Sequence, residues 1–279
     1  MSQPNASKTP SIPLTQHPIG VFDSGLGGLS IQRCISRMLP HEHIIYVADN
    51  AYAPYGCKTE EEINARVLQI GQWFHSQNVK AIVVACNTAT ASAIEKLREQ
   101  YHIPIIGVEP AIKPAVEQSK TNKVGLLVTS ATANNHRFKQ LVARYAENAE
   151  VLIQPCPGLV DLIEQGQRHS DECQKLLHQY LTPLINAGVD TIVLGCTHYP
   201  FLSTIIEKIV GVNVTLMETA KPVTEQLIRQ LTKYDLLNMS SNSPELSLYA
   251  SNPSEQLSRL ASELLNREIP SIQQIETEF

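Results

Sequence analysis

The stretch Asp190–Leu202, "DTIVLGCTHYPFL", decides how the rest of the chain is read. Its first residues form a short apolar run of the kind that makes a fully buried strand, and Thr197 and Pro200 predict a turn into a helix. A thiol, Cys196, therefore stands at the exit of a buried strand, with His198 two residues on. By itself that cysteine fits packing, metal ligation or chemical reactivity. The stretch has a twin, however. "VVACNTATASAIEKL" (83–97) matches "IVLGCTHYPFLSTIIEKI" (192–209), pairing Cys86 with Cys196 and Glu95-Lys96 with Glu207-Lys208. "VEPAIKPAVEQ" (108–118) matches "METAKPVTEQ" (217–226) in the same way.

Outward from these twins the chain alternates short apolar runs with longer helical patterns. The strands expected in the first half are 18–22, 43–48, 81–86 and 103–108, with helices over 29–38, 59–77 and 89–100. The second half repeats the order with strands at 123–130, 150–156, 190–196 and 212–218. Such alternation predicts parallel sheets flanked by helices, here an α/β protein of two similar lobes related by a pseudo-twofold axis. The remainder, from 223, holds a helix, a polar loop, a strand at 246–251 and a helix capped by Ser254. It is expected to return to the first lobe and add a strand there. The organisation expected is thus a disordered tail over 1–17, a discontinuous first lobe (18–113 with 223–279) and a second lobe over 114–222. In open α/β sheets ligands sit beyond the carboxyl ends of the strands, so the two lobes would share one cleft, with Cys86 and Cys196 facing each other across it.

Bulk properties narrow the partners. The 279 residues are 43% hydrophobic and 18% charged, with 22 Lys+Arg against 27 Asp+Glu and a net charge of −5. No basic run offers a phosphate-backbone surface, so nucleic acid is not expected, and no window has the length of a membrane span. The N-terminal segment is polar and proline-rich, without a signal-peptide core. A cytoplasmic protein with six free thiols is the expectation.

Cys34, Cys57 and Cys173 have no twin and read as small apolar fillers. Cys156 ends a strand, a place from which it could line the cleft, but in the alignment of the halves it lies opposite Asn50 or its neighbours and not a thiol. Cys86 and Cys196 are each followed by small polar residues in what reads as the first turn of a helix, where free N–H groups and the helix dipole would depress a thiol's pKa. Zinc at Cys196 and His198 lacks the paired ligand spacing of a structural site, so no metal is expected. One nucleophilic cysteine with His198 as base leaves the other thiol unexplained. Two opposed acid–base groups suit inversion at a carbon acid: one removes a proton from one face and the other returns one to the opposite face.

"VFDSGLGGLS" (21–30) is the strand–loop–helix of the first lobe. Its glycines would let backbone amides approach an anion, and with Asp49 ending the next strand it half-resembles a dinucleotide fingerprint. Asp23, just before the glycines, would repel a pyrophosphate. It suits an ammonium or a neighbouring thiol, or a turn cap. Pro54-Tyr55-Gly56, in "ADNAYAPYGCK" (48–58), reads as either a ligand-facing loop or a plain one. Thr129 and Thr132 occupy the strand exit of the second lobe equivalent to Asp23-Ser24. Glu164 lies on a helix and His198 in a first turn, both of which are ordinary surface settings. No Lys or Arg is placed at the cleft.

With "VFDSGLGGLS", "ADNAYAPYG", "VVACNTATA", "GVEPA", "CPGLVDLIEQG" and "LGCTHYP" in this order, the chain resembles the glutamate racemases of the cofactor-independent aspartate/glutamate racemase superfamily, from Ile19 to about Leu265. The resemblance implies interconversion of L- and D-glutamate, supplying D-glutamate for peptidoglycan, with no cofactor. It implies that Cys86 takes the proton from D-glutamate and Cys196 from L-glutamate. Asp23 would assist the former, and Glu164 and His198 the latter. Ser24, Pro54, Tyr55, Gly56, Asn87, Thr88, Thr132 and Thr197 would hold the substrate together with Asp23. It also implies a monomer or homodimer and, in some members with an N-terminal extension, activation by a cell-wall precursor. The chain departs from the family pattern at Val128 and Ala131, where glycines are usual, and at Gly158, Leu159 and Asp161, where bulkier apolar residues and proline are common.

Overall fold

The computed structural model describes residues 12–147, 149–240 and 243–276. In chain order its elements are β1 (Ile19–Asp23), α1 (Leu29–Met38), β2 (Ile44–Ala48), α2 (Glu60–Ser76), β3 (Ala81–Val84), α3 (Asn87–Gln100), β4 (Ile105–Gly107) and α4 (Ile112–Gln118). There follow β5 (Lys123–Val128), α5 (Ser130–Asn134), α6 (His136–Tyr145), β6 (Glu150–Pro155), α7 (Leu159–Glu164), α8 (Asp171–Asn186), β7 (Thr191–Leu194), α9 (Ser203–Val210) and β8 (Thr215–Met217). The chain ends with α10 (Ala220–Lys233), β9 (Leu246–Ala250), α11 (Glu255–Leu265) and β10 (Gln273–Gln274).

These strands form two wholly parallel sheets, ordered β10-β9-β2-β1-β3-β4 and β6-β5-β7-β8. Within the first, the run β2-β1-β3-β4 has the order of the entire second sheet, so the duplication legible in the sequence is also a duplication of topology. The central strands β1, β3 and β7 are buried at every residue, because helices cover both faces of each sheet. This is why they read as continuous apolar runs rather than alternating ones. β9 pairs with the outer edge of β2, Ile44 opposite Leu246, so the C-terminal segment does return to the first sheet. The two-residue β10, which no apolar run announces, extends that edge beside Tyr249 and Ala250.

Residues 1–11 of the expected tail lie outside the described residues, but 12–17 are not an unstructured continuation of it. Leu14–Gln16 form a 3-10 turn. The Lys80 ammonium donates to the Thr15 carbonyl while also pairing with the buried Glu42 carboxylate. Secondary structure after Cys196 also differs from expectation. Thr197 and His198 lead into a 3-10 turn, Tyr199–Leu202, and the α-helix begins only at Ser203. Cys86, in contrast, is the N-cap residue of α3. Among the described residues no helix is long and apolar enough to cross a membrane.

Candidate active site

β1, β3, β5 and β7 end at the same face of the molecule, and their exit loops surround a cavity of about 230 Å³. Cys86 follows β3 and Cys196 follows β7, the equivalent strand of the other sheet, and both thiols line the cavity. Ser24, Pro54, Tyr55, Gly56, Asn87, Thr88, Thr197 and His198 join them. Asp23, Glu164 and Thr132 are set behind that lining and act on it through hydrogen bonds. Cys156, read as a strand end from which it could line the cleft, does so; the residues that sequence reasoning did not assign to the wall are Thr129, Ser130, Cys57, Pro157, Gly158, Val160 and Asp161. Duplication offered a signal for Thr129, which sits at a strand exit. Cys57 is exposed at the mouth and is not the apolar filler expected. Cys34 and Cys173 are buried as expected.

The glycine loop after β1 does not present its amides to a ligand. Asp23 Oδ2 accepts hydrogen bonds from Gly25 N (3.2 Å) and Gly28 N (3.1 Å), and Glu164 Oε1 accepts one from Leu26 N (2.6 Å). The donors that a pyrophosphate would need are thus occupied by the protein's own carboxylates, which removes the dinucleotide reading. The glycines serve close approach instead. A Cβ on Gly25 would lie 2.2 Å from Glu164 Oε1, and one on Gly27 would lie 2.3 Å from His198 Nδ1. Glu164 and His198 belong to the second lobe, so the glycines admit that lobe's side chains against the first. Asp49, the supposed ribose acid, is spent on a bidentate ion pair with Arg66.

On the second-lobe side a chain of contacts runs from the thiol inward. Cys196 Sγ lies 3.8 Å from His198 Nδ1, and His198 Nε2 lies 2.5 Å from Glu164 Oε1. His198 is 2% exposed and the Glu164 side chain 19%, so neither is the solvated surface group its sequence setting suggests. Burial works against a charged His198, yet the hydrogen bonds and charges of Cys196 and Glu164 outweigh it and hold its pKa well above 6.5. Burial likewise raises the Glu164 pKa, and the hydrogen bond and charge of His198 with the Leu26 amide more than reverse this. The result is an imidazolium–carboxylate pair beside a thiol.

The first-lobe thiol is set differently. Cys86 Sγ accepts from Ala89 N (3.5 Å) and its S–H reaches Ser24 Oγ (3.7 Å). The helix end was expected to depress this thiol's pKa. Instead, burial first and the Asp23 charge second push it up to about 12, against the lowering effect of the Ala89 amide and Ser24. Asp23 is itself wholly buried, and burial raises its pKa. Its Oδ1 accepts from Thr197 Oγ1 (3.3 Å), a bond that crosses between the lobes.

The rest of the wall is rich in hydroxyls. Thr88 Oγ1 lies 3.3 Å from both Thr129 Oγ1 and Thr132 Oγ1, again across the lobes, and Thr129 caps α5 through the Thr132 amide. The departures at Val128 and Ala131 therefore leave both threonines in contact with Thr88. Gly158 takes a left-handed conformation (φ 83°) at the start of α7, the helix that carries Glu164. Asn87 is 6% exposed, and neither its amide nitrogen nor its oxygen has a partner. A buried amide left unpaired on a cavity wall is poised for a ligand. Among the described residues no group of three or more His, Cys, Asp or Glu side chains is placed to hold a metal ion.

The fold and the paired strand-exit thiols define an amino-acid racemase, and the chain belongs to the Asp/Glu/Hydantoin racemase family, whose profile matches residues 19–231. Its relatives are more specific. The chain is 49% identical, over 81% of its length and 89% of the relative's, to a glutamate racemase of Herpetosiphon aurantiacus. It superimposes with a TM-score of 0.83 and 32% identity on the glutamate racemase of Francisella tularensis solved with D-glutamate, covering 94% of this chain and 98% of that one. The Escherichia coli glutamate racemase, solved with L-glutamate and the activator UDP-MurNAc-ala, matches with a TM-score of 0.83 and 28% identity over 94% and 100% of the two chains.

Proposed function

We propose that this chain interconverts L- and D-glutamate by a two-base exchange of the Cα proton, without a cofactor. The observation that carries the reading is the pair of thiols at equivalent strand exits of two like lobes, lining one cavity. Cys196 as thiolate takes the Cα proton of L-glutamate. The C–H electron pair remains on carbon, delocalised into the substrate carboxylate, and the Cys86 thiol delivers its proton to the opposite face. D-glutamate runs the same steps with the roles exchanged. His198, held as an imidazolium by Glu164, is the positive charge that faces Cys196, and Glu164 acts only through it. Asp23 acts on Cys86, and a bound substrate ammonium would offset the burial that keeps that thiol neutral. Asn87, Ser24, Thr88, Thr132, Thr197 and the Pro54-Tyr55-Gly56 turn hold the substrate through amides and hydroxyls, since among the described residues no Lys or Arg lines the cavity.

The product's place is peptidoglycan synthesis in the cytoplasm. The same reading includes a monomer or homodimer and an activator resembling the one held by the Escherichia coli relative. Incubation of the protein with L-glutamate in D₂O tests it. Optical rotation should decay while Cα takes up deuterium with no cofactor added, and Cys86→Ser and Cys196→Ser should each abolish the decay. Near-normal turnover by either variant would refute the two-thiol assignment.

A further inference from the structure

Asp49 and Arg66 lie outside the chemistry, yet they are built with unusual care. Asp49 is 0% and Arg66 3% exposed. The guanidinium donates to both carboxylate oxygens, Nε to Oδ2 at 2.8 Å and Nη2 to Oδ1 at 2.7 Å, and stacks over the Tyr52 ring at 4.3 Å. Such a fork fixes the carboxylate's orientation as well as its charge. The Tyr55 hydroxyl donates to the same Asp49 Oδ2 at 2.6 Å.

Tyr55 belongs to the 3-10 turn Tyr55–Cys57 that walls the cavity on the first-lobe side. The turn's own hydrogen bonds are local and long: Cys57 N to the Pro54 carbonyl at 3.4 Å and Lys58 N to the Tyr55 carbonyl at 3.2 Å. Across the mouth, Gly56 faces Thr129 of the second lobe, whose Cβ would lie 3.7 Å from an added Cβ. The position of the turn therefore sets the width of the space between Gly56 and the threonine cluster.

We propose that Asp49 and Arg66 are positioning residues: through the Tyr55 hydroxyl they mount the Pro54–Tyr55–Gly56 wall and so govern substrate affinity rather than turnover. The inference rests on the racemase reading for its substrate, though not for the mount itself. Neither thiol is touched by Asp49, Arg66 or the Tyr55 hydroxyl in the hydrogen bonds described, so the mount acts on how substrate is held.

Tyr55→Phe keeps the buried ring and removes only the hydroxyl. A lost hydrogen bond to a charged group corresponds to roughly a tenfold effect or more. KM for both glutamate enantiomers should rise about that much, with kcat changing far less, and amide hydrogen exchange at 55–58 should accelerate. Arg66→Lys keeps the charge but loses the fork, and should move KM and exchange in the same directions. A variant with an unchanged KM and unchanged protection of 55–58, or one whose loss falls on kcat alone, would overturn the proposal. If the wild-type chain itself failed to racemise glutamate, the functional reading would fall. Protection of the turn in Tyr55→Phe would then still decide the mount.

Discussion

At the scale of single residues, two spaces occupied by hydrogen atoms decide whether the two lobes' chemistry can meet. Gly27→Ala would drive a methyl group into the ring of the buried His198, whose Nε2 is bonded to Glu164. With proton transfer worth roughly 10²–10⁴ in rate, kcat should fall at least a hundredfold while circular dichroism reports an intact fold. Thiol accessibility makes a second expectation. Cys57 is exposed, whereas Cys86 is 6% exposed and its burial pushes the thiol's pKa up to about 12. Iodoacetamide at pH 8 should label Cys57 before Cys86, with peptide mapping as the readout.

The His198–Glu164 pair also has a signature in stability. The raised pKa of His198 contributes stability that is complete below its ordinary value of 6.5 and is lost as pH climbs through the folded value. The lowered pKa of Glu164 contributes stability that is complete above 4.5 and is lost as pH falls through its folded value. Chemical denaturation of wild type and His198→Asn should therefore differ most between pH 4.5 and 6.5, and the difference should shrink on the alkaline side. A difference that stayed the same from this window up to alkaline pH would contradict the pair.

Among the elements, the apolar runs were the most legible part of the sequence because buried parallel strands leave no choice of residue type. Helix starts were legible where a cap is local, as at Ser254, whose side chain accepts from Leu257 N at the head of α11. The start of α9 was not, since Pro200 and the Cys196–Tyr199 bond hold a 3-10 turn whose geometry depends on Tyr199 being buried against the Val128 and Cys156 carbonyls. The two thiols were found through the repeat, which compares the chain with itself. What could not be read was the partner each group finds across the lobes. Glu164 reaches Leu26, 138 residues away, and Thr197 reaches Asp23, 174 residues away. A helix-end argument also misjudged Cys86: the amide of Ala89 was foreseeable, while the depth at which the thiol is buried, the main cause of its raised pKa, was not.

Seen as a whole molecule, the cavity is walled by both lobes, and hydrogen bonds such as Thr197 to Asp23 and Thr88 to Thr129 run between them. At the periphery, Arg137 of α6 pairs with Glu95 and Glu109 of the first lobe, and Arg168 pairs with Glu263 of α11. These pairs are partly exposed, so each contributes little by itself. A ligand bridging the walls should do more. At a hundredfold excess over Kd, D-glutamate should stabilise the fold by about 2.7 kcal/mol, seen as a concentration-dependent rise in Tm. Labelling of the exposed Cys57 should slow in that complex, because the mouth it borders is then filled.

The return of β9 to the flank of β2 carries a consequence for how the protein is made. The four-stranded sheet holds all its strands once residue 217 has been synthesised, whereas the six-stranded sheet, though begun first, waits for residues 246–250 and 273–274. On the ribosome the order of completion is thus the reverse of the order of synthesis. The half begun first keeps an open flank until the last helix has left the exit tunnel, and a stalled or prematurely terminated chain would carry a finished second half beside an unfinished first.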